Sequence, residues 1–152
     1  MIQRIQSVYF LLAGILPAFT FCVPLAKYLD QNGEVVYDLN SVALTSLTGG
    51  ETSTPWGMMV FAIISIVMAF VCLLSFKNRR MQIAWSNILL TVILLFALTY
   101  VAYGYSYGTI HEVRFLPTWG IVFPVLSFLL ALLGRRGVHK DEELVRAADR
   151  IR

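Results

Sequence analysis

Apolar and polar positions along this chain fall into long blocks rather than a short period. Four stretches, residues 8–26, 58–76, 83–103 and 116–133, contain no Asp, Glu, Lys or Arg. Crossing a hydrocarbon core of about 30 Å takes about 20 mainly apolar residues at 1.5 Å of helical rise each. Each stretch is close to that length, and none shows the period-two alternation of a membrane barrel, so each predicts a helix. The pattern predicts an all-α integral membrane protein: an antiparallel four-transmembrane-helix bundle in one domain, residues 1–152. Outer loops at 27–57 and 104–115, a cytoplasmic loop at 77–82 and a cytoplasmic tail at 134–152 complete the expected layout.

Composition points the same way. Hydrophobic residues make up 58% and charged residues 14%, against about 25% charged in a typical soluble domain, and the mean hydropathy is +0.72. A soluble ball of this size cannot bury so many apolar side chains, which excludes a soluble enzyme core, and the same composition excludes disorder, a collagen-like chain and a disulfide scaffold.

Charge supplies orientation. Arg4, Lys77, Arg79, Arg80, Arg135, Arg136, Lys140, Arg146, Arg150 and Arg152 all fall on one side of the four stretches, and only Lys27 and Arg114 on the other. Lys and Arg favour the cytoplasmic side, so both termini are expected there. The first apolar run resembles a secretory signal in position, but no small-x-small cleavage pattern ends it and Cys22 lacks a lipobox, so an uncleaved anchor is expected. The excess of basic residues reads as a topology signal, and nucleic acid is not an expected partner.

The apolar stretches carry little chemistry. An ionisable side chain inside a span is costly and marks function by default. None is present, which weighs against a proton relay, a voltage sensor or an ion-coupled transporter. Asn87, beside Ser86, is the one strongly polar position, expected to make an interhelical contact of about 0.6 kcal/mol. Cys22 and Cys72 should lie roughly 15 Å apart in depth, beyond the about 7 Å that a disulfide permits. Pro17 removes the bond to the Ala13 carbonyl and predicts a kink, as Pro124 does near Gly120. Gly14 with Ala18, and Ala62, Ser65 and Ala69, form small-residue stripes suited to close helix approach.

In the first outer loop, Tyr28-Leu29 and Val35 to Leu39 bracket Asn32-Gly33, predicting a hairpin with a type I′ turn. His111 to Phe115 could add a third strand, while 41–54 reads as irregular loop. Tyr100, Tyr103, Tyr105, Tyr107, Trp56 and Trp119 gather near the outer boundary, where an aromatic belt and a ligand groove are alternatives. His111 has no companion ligand at metal spacing, and neither metal nor cofactor is expected. Arg4-Ile5-Gln6 and Arg80-Met81-Gln82 both open spans, as do Pro55-Trp56-Gly57 and Pro117-Thr118-Trp119-Gly120. A duplicated helical hairpin and convergent boundary chemistry both account for this.

The tail is the most specific soluble feature. Leu144, Val145, Ala148 and Ile151 recur at helical spacing, with Asp141 to Glu143 at the start and Arg146 placed to pair with Glu142. After the break expected at Gly134 to Gly137, this predicts a short amphipathic helix, marginal alone in water and needing a surface to cover its stripe.

The opening Met1-Ile2-Gln3-Arg4-Ile5-Gln6-Ser7-Val8-Tyr9, the segment Trp85-Ser86-Asn87 and the ending Lys140 to Arg152 resemble domain-of-unknown-function family 4293, four-span membrane proteins of Bacteroidota. The resemblance covers essentially the whole chain. It implies a bacterial inner membrane with the outer loops in the periplasm, and it brings no activity or catalytic residue.

The expected function is that of a non-enzymatic accessory or scaffold subunit. It would bind a membrane-protein partner, or a second copy of itself, through Leu144, Val145, Arg146, Ala148 and Ile151, with the outer loop as a second candidate surface; membrane lipids would surround the rest. The alternative is a small carrier or channel for a neutral or lipid-like ligand, with a path near Asn87, Pro17 and Pro124.

Overall fold

The fold is known from a computed structural model that describes the backbone of residues 2–47, 49 and 52–150, and the side chains of 5–47, 49, 52–76, 78–145 and 147. Most of the chain is helical: α1 (Ile2–Phe19), α2 (Trp56–Leu74), α3 (Arg79–Ile110) and α4 (Val122–Arg150). Each helix packs against two others in the cyclic order α1, α2, α3, α4. Three of them are long and apolar enough to cross a membrane, and α1 contributes a shorter apolar helix over Ile5–Phe19.

Strands β1 (Ala26–Leu29), β2 (Val35–Leu39), β3 (Leu44–Ser46) and β4 (Arg114–Pro117) form one antiparallel sheet in the order β3-β2-β1-β4 at one end of the helices. That end is called the sheet end below, and the opposite one the far end. The hairpin lies where the sequence places it, but its turn differs. Gly33 has φ +81° whereas Asn32 does not have positive φ, so the loop is not type I′. Gly33 N–H donates to the Asp30 carbonyl at 2.9 Å and Asp30 N–H to the Glu34 carbonyl at 2.9 Å, which closes a longer loop around a single left-handed glycine. Two further differences concern strands. β4 starts at Arg114 rather than His111, and β3 lies in the segment expected to be irregular, because Leu44 is buried and anchors it.

Helix limits depart from the four apolar stretches in instructive ways. α1 stops at Phe19, and residues 20–26 turn into the sheet. Pro17 sits in its last turn, and Thr20 Oγ donates to the Pro17 carbonyl at 2.6 Å while accepting from Ser41 Oγ at 2.9 Å. The Ala13 carbonyl released by Pro17 accepts instead from Ser127 Oγ of α4 at 2.7 Å, so the lost helical bond becomes an interhelical one. α3 runs 32 residues, about 48 Å, and so takes in residues 104–110, which the sequence assigns to a loop. It ends by turning through Glu112 at φ +54°. Pro124 lies in the first turn of α4, where its missing N–H is one of the helix's unpaired donors anyway.

The interior has two centres. Leu25, Tyr28, Leu39, Met58, Phe96 and Tyr100 fill the sheet end, and Phe10, Ala69, Cys72, Leu89, Ile93 and Val138 fill the far end. Between them the small-residue stripes do what their spacing implies. Ala62, Ser65 and Ala69 are buried, and a Cβ on Gly14 would lie 3.0 Å from that of Ala69. Ala18 is exposed and takes no part. Both cysteines are free, Cys22 exposed and Cys72 buried.

Candidate functional site

At the far end, three helices meet through polar side chains held inside an apolar surround. Gln6 of α1 is 5% exposed and donates from Nε2 to Asp141 Oδ2 of α4 at 2.7 Å; Asp141 is itself 9% exposed. Arg79 of α3 donates to the Asp141 carbonyl at 3.2 Å, and Arg80 Nε pairs with Glu142 Oε1 at 3.3 Å. Gln82, also buried, donates to the Cys72 carbonyl at 3.0 Å and ties the end of α2 to the start of α3. These contacts are charge-assisted or bridge different helices, which fixes how the helix ends meet.

The same contacts explain how α4 leaves the bundle. The sequence predicts a break at Gly134 to Gly137 followed by a separate tail helix; instead α4 continues without interruption to Arg150. Both glycines serve close approach. A Cβ on Gly134 would lie 3.0 Å from the Phe10 ring, and one on Gly137 would lie 2.9 Å from Gln6 Cγ. Among the described residues, Val138 and Asp141 are the last of α4 buried against the bundle. Beyond them Leu144 is 57% and Val145 42% exposed. Of the other expected tail contacts, the side chains of Arg146 and Ala148, and all of Ile151, lie outside the described residues.

Asn87 does not face the helix interior. Its side chain is exposed, while Ser86 is buried and donates to the Ile83 carbonyl of its own helix at 2.8 Å. Among the described residues, the buried polar contacts between helices fall to Gln6, Gln82, Asp141 and Ser127. A signal for two of them was present, since Gln6 and Gln82 occupy the same place in the repeated Arg-x-Gln.

A second feature lies under the sheet. An apolar cavity of about 210 Å³ opens between α3 and α4, lined by residues including Leu25, Phe96, Ala97, Tyr100, Val125 and Phe128. Near Pro17, Ser65 and Pro124 the helices leave only about 10 Å³. Above the cavity, Tyr28 donates to the Tyr103 carbonyl at 3.2 Å and Tyr100 to the Leu25 carbonyl at 3.1 Å. Rings of Tyr28, Tyr37, Tyr107, His111 and Phe115 surround them. Burial pushes the Tyr28 hydroxyl well above the ordinary phenol range, so it stays a neutral donor. Among the described residues, no group of three or more His, Cys, Asp or Glu gathers to hold a metal.

Residues 2–151 match a family model described only as a domain of unknown function. No curated protein matches the chain.

Proposed function

The chain belongs to the DUF4293 family, and from that premise we propose that it is a non-enzymatic subunit of the bacterial inner membrane. In this reading all four helices span the bilayer, both termini are cytoplasmic and the sheet faces the periplasm. At 18 residues, α1 reaches about 27 Å, close to the thickness of the hydrocarbon core. The distribution of Lys and Arg supports the orientation.

The function that fits best is docking of a partner protein, or of a second copy, on the free end of α4. One observation carries it. α4 is anchored at Val138 and Asp141 and then projects Leu144 and Val145 outward from a helix whose direction is already fixed. A preordered apolar pair saves the partner the cost of ordering a segment. The chain extracted in mild detergent is expected to co-purify with a stoichiometric partner or as a dimer. Leu144→Asp with Val145→Asp should reduce that association at least severalfold while yield and helicity hold. A monomer that stays solitary across gentle extraction conditions sinks the reading.

The cavity between α3 and α4 favours a second reading, a carrier for a lipid-like ligand. Its lining is apolar, as an acyl chain requires, whereas the tight packing near Ser65 disfavours a water-filled channel. Filling the cavity with Ala97→Trp is expected to weaken binding of a pyrene-labelled fatty acid, read by fluorescence in detergent. Equal binding by the variant and the parent chain would remove support for this carrier.

A further inference from the structure

Around one face of α4 at the far end, Arg135, Arg136, His139, Lys140 and Glu143 line an open hollow of about 450 Å³. We propose that this hollow binds the phosphate headgroup of an anionic phospholipid. The proposal rests on the reading that α4 spans the bilayer with its far end at the membrane surface.

Position comes first. Leu126, Leu129 and Leu133 are exposed at spacings of three and four along α4 and form the stripe that meets acyl chains in this reading. Arg136 and Lys140 continue that stripe by one and two turns. The face of the helix that meets lipid tails therefore meets headgroups next, with cations in place.

Charge balance comes second. Two of the three acids nearby are engaged outside the hollow, and the third, Glu143, lines it beside His139. Asp141 turns inward to Gln6, Glu142 pairs with Arg80, and Glu143 lies 3.3 Å from His139 Nδ1. Among the described residues, no ion pair joins Arg135, Arg136 or Lys140 to an acid. Arg79, which donates only to a backbone carbonyl, adds positive charge from α3 at the same end.

An unmet bonding need comes third. Arg135 Nε is buried and has no hydrogen-bond partner among the described residues. Leaving such a donor unpaired is costly. A phosphate oxygen accepts from a guanidinium in a planar, charge-assisted geometry and would meet that need once the Arg135 side chain turns into the hollow. Basic residues immediately beyond a span are placed to attract anionic lipid.

The test uses the whole chain in nanodiscs of phosphatidylcholine with or without phosphatidylglycerol. After transfer to detergent, retained lipid is identified by native mass spectrometry. The parent chain is expected to retain phosphatidylglycerol over phosphatidylcholine. Arg135→Gln, Arg136→Gln and Lys140→Gln together should lower that preference about tenfold or more. Glu143→Gln should raise it, and Arg136→Lys should keep most of it. Helicity by circular dichroism identifies variants that retain the fold. Equal retention of the two lipids, an unchanged preference in the triple variant, or displacement of the lipid by inorganic phosphate alone would each overturn the proposal. Loss of partner binding in the Leu144 and Val145 variant leaves this outcome unaffected, so the two readings fail separately.

Discussion

Gly120→Val is expected to destabilise the sheet end by about 3 kcal/mol or more. Gly120 lies in the 3₁₀ turn Trp119–Ile121 that leads into α4. A Cβ there would collide with the carbonyl oxygen of Pro24 and come within 3.1 Å of Val23 Cγ1. Neither side can yield cheaply. Leu25 N–H is bonded to the Leu39 carbonyl at 2.7 Å and Thr118 N–H to the Leu25 carbonyl at 2.9 Å, so backbone on both sides of the clash is pinned. Even Gly120→Ala should be costly. Gly57 follows a tryptophan in the same motif, yet a Cβ there meets Thr99 Cγ2 at an ordinary 3.4 Å. Gly57→Ala should therefore be near neutral, helped by helix propensity. Thermal unfolding in detergent separates the cases: equal stability of the two alanine variants would show that the turn and the Pro24 backbone can move apart.

The second large effect is a coupling. Gln6→Leu leaves the Asp141 carboxylate without its buried partner, and Asp141→Leu leaves the Gln6 amide unsatisfied; each should cost about 2 kcal/mol. Removing both replaces a polar pair with an apolar one in an apolar surround, so the double variant should be more stable than the two single losses predict. The expected coupling energy is about 1–3 kcal/mol. A coupling near zero, measured by unfolding of all four proteins, would mean that the bond between α1 and α4 contributes nothing specific.

Much of the helical architecture and part of the sheet are legible in the sequence, because burial in lipid and turn chemistry are local signals. Uncharged runs locate α2, the centres of α1 and α3 and the first half of α4, and Gly33 marks the hairpin. What resists reading is set by neighbours distant in sequence. Gly134 and Gly137 look like helix breakers by propensity; their role as contact points for Phe10 and Gln6 depends on a helix more than a hundred residues earlier. Pro17 suggests a kink, but the outcome depends on Ser127 waiting opposite the freed carbonyl. Asn87 looks like an interior group because polar residues are costly in lipid, and its outward position shows that a single amide near a helix end follows the helix's rotation. Gln6 and Gln82, at the edges of apolar stretches, read as boundary residues. Their burial goes with bonds to Asp141 and to the Cys72 carbonyl on other helices, which no local pattern records.

The pairing of β1 with β4 joins Ala26 to Pro117, and this separation imposes an order on biogenesis. Chains emerge from the ribosome at about 5–20 residues per second, so β1 waits roughly 5 to 20 s for its second neighbour. During that interval the first helical hairpin carries an open strand edge, a template for unwanted pairing. Only when α3 has passed through and β4 has arrived does the edge close. The last helix is thereby added to a molecule whose sheet is already being sealed, and it then packs against α1 and α3.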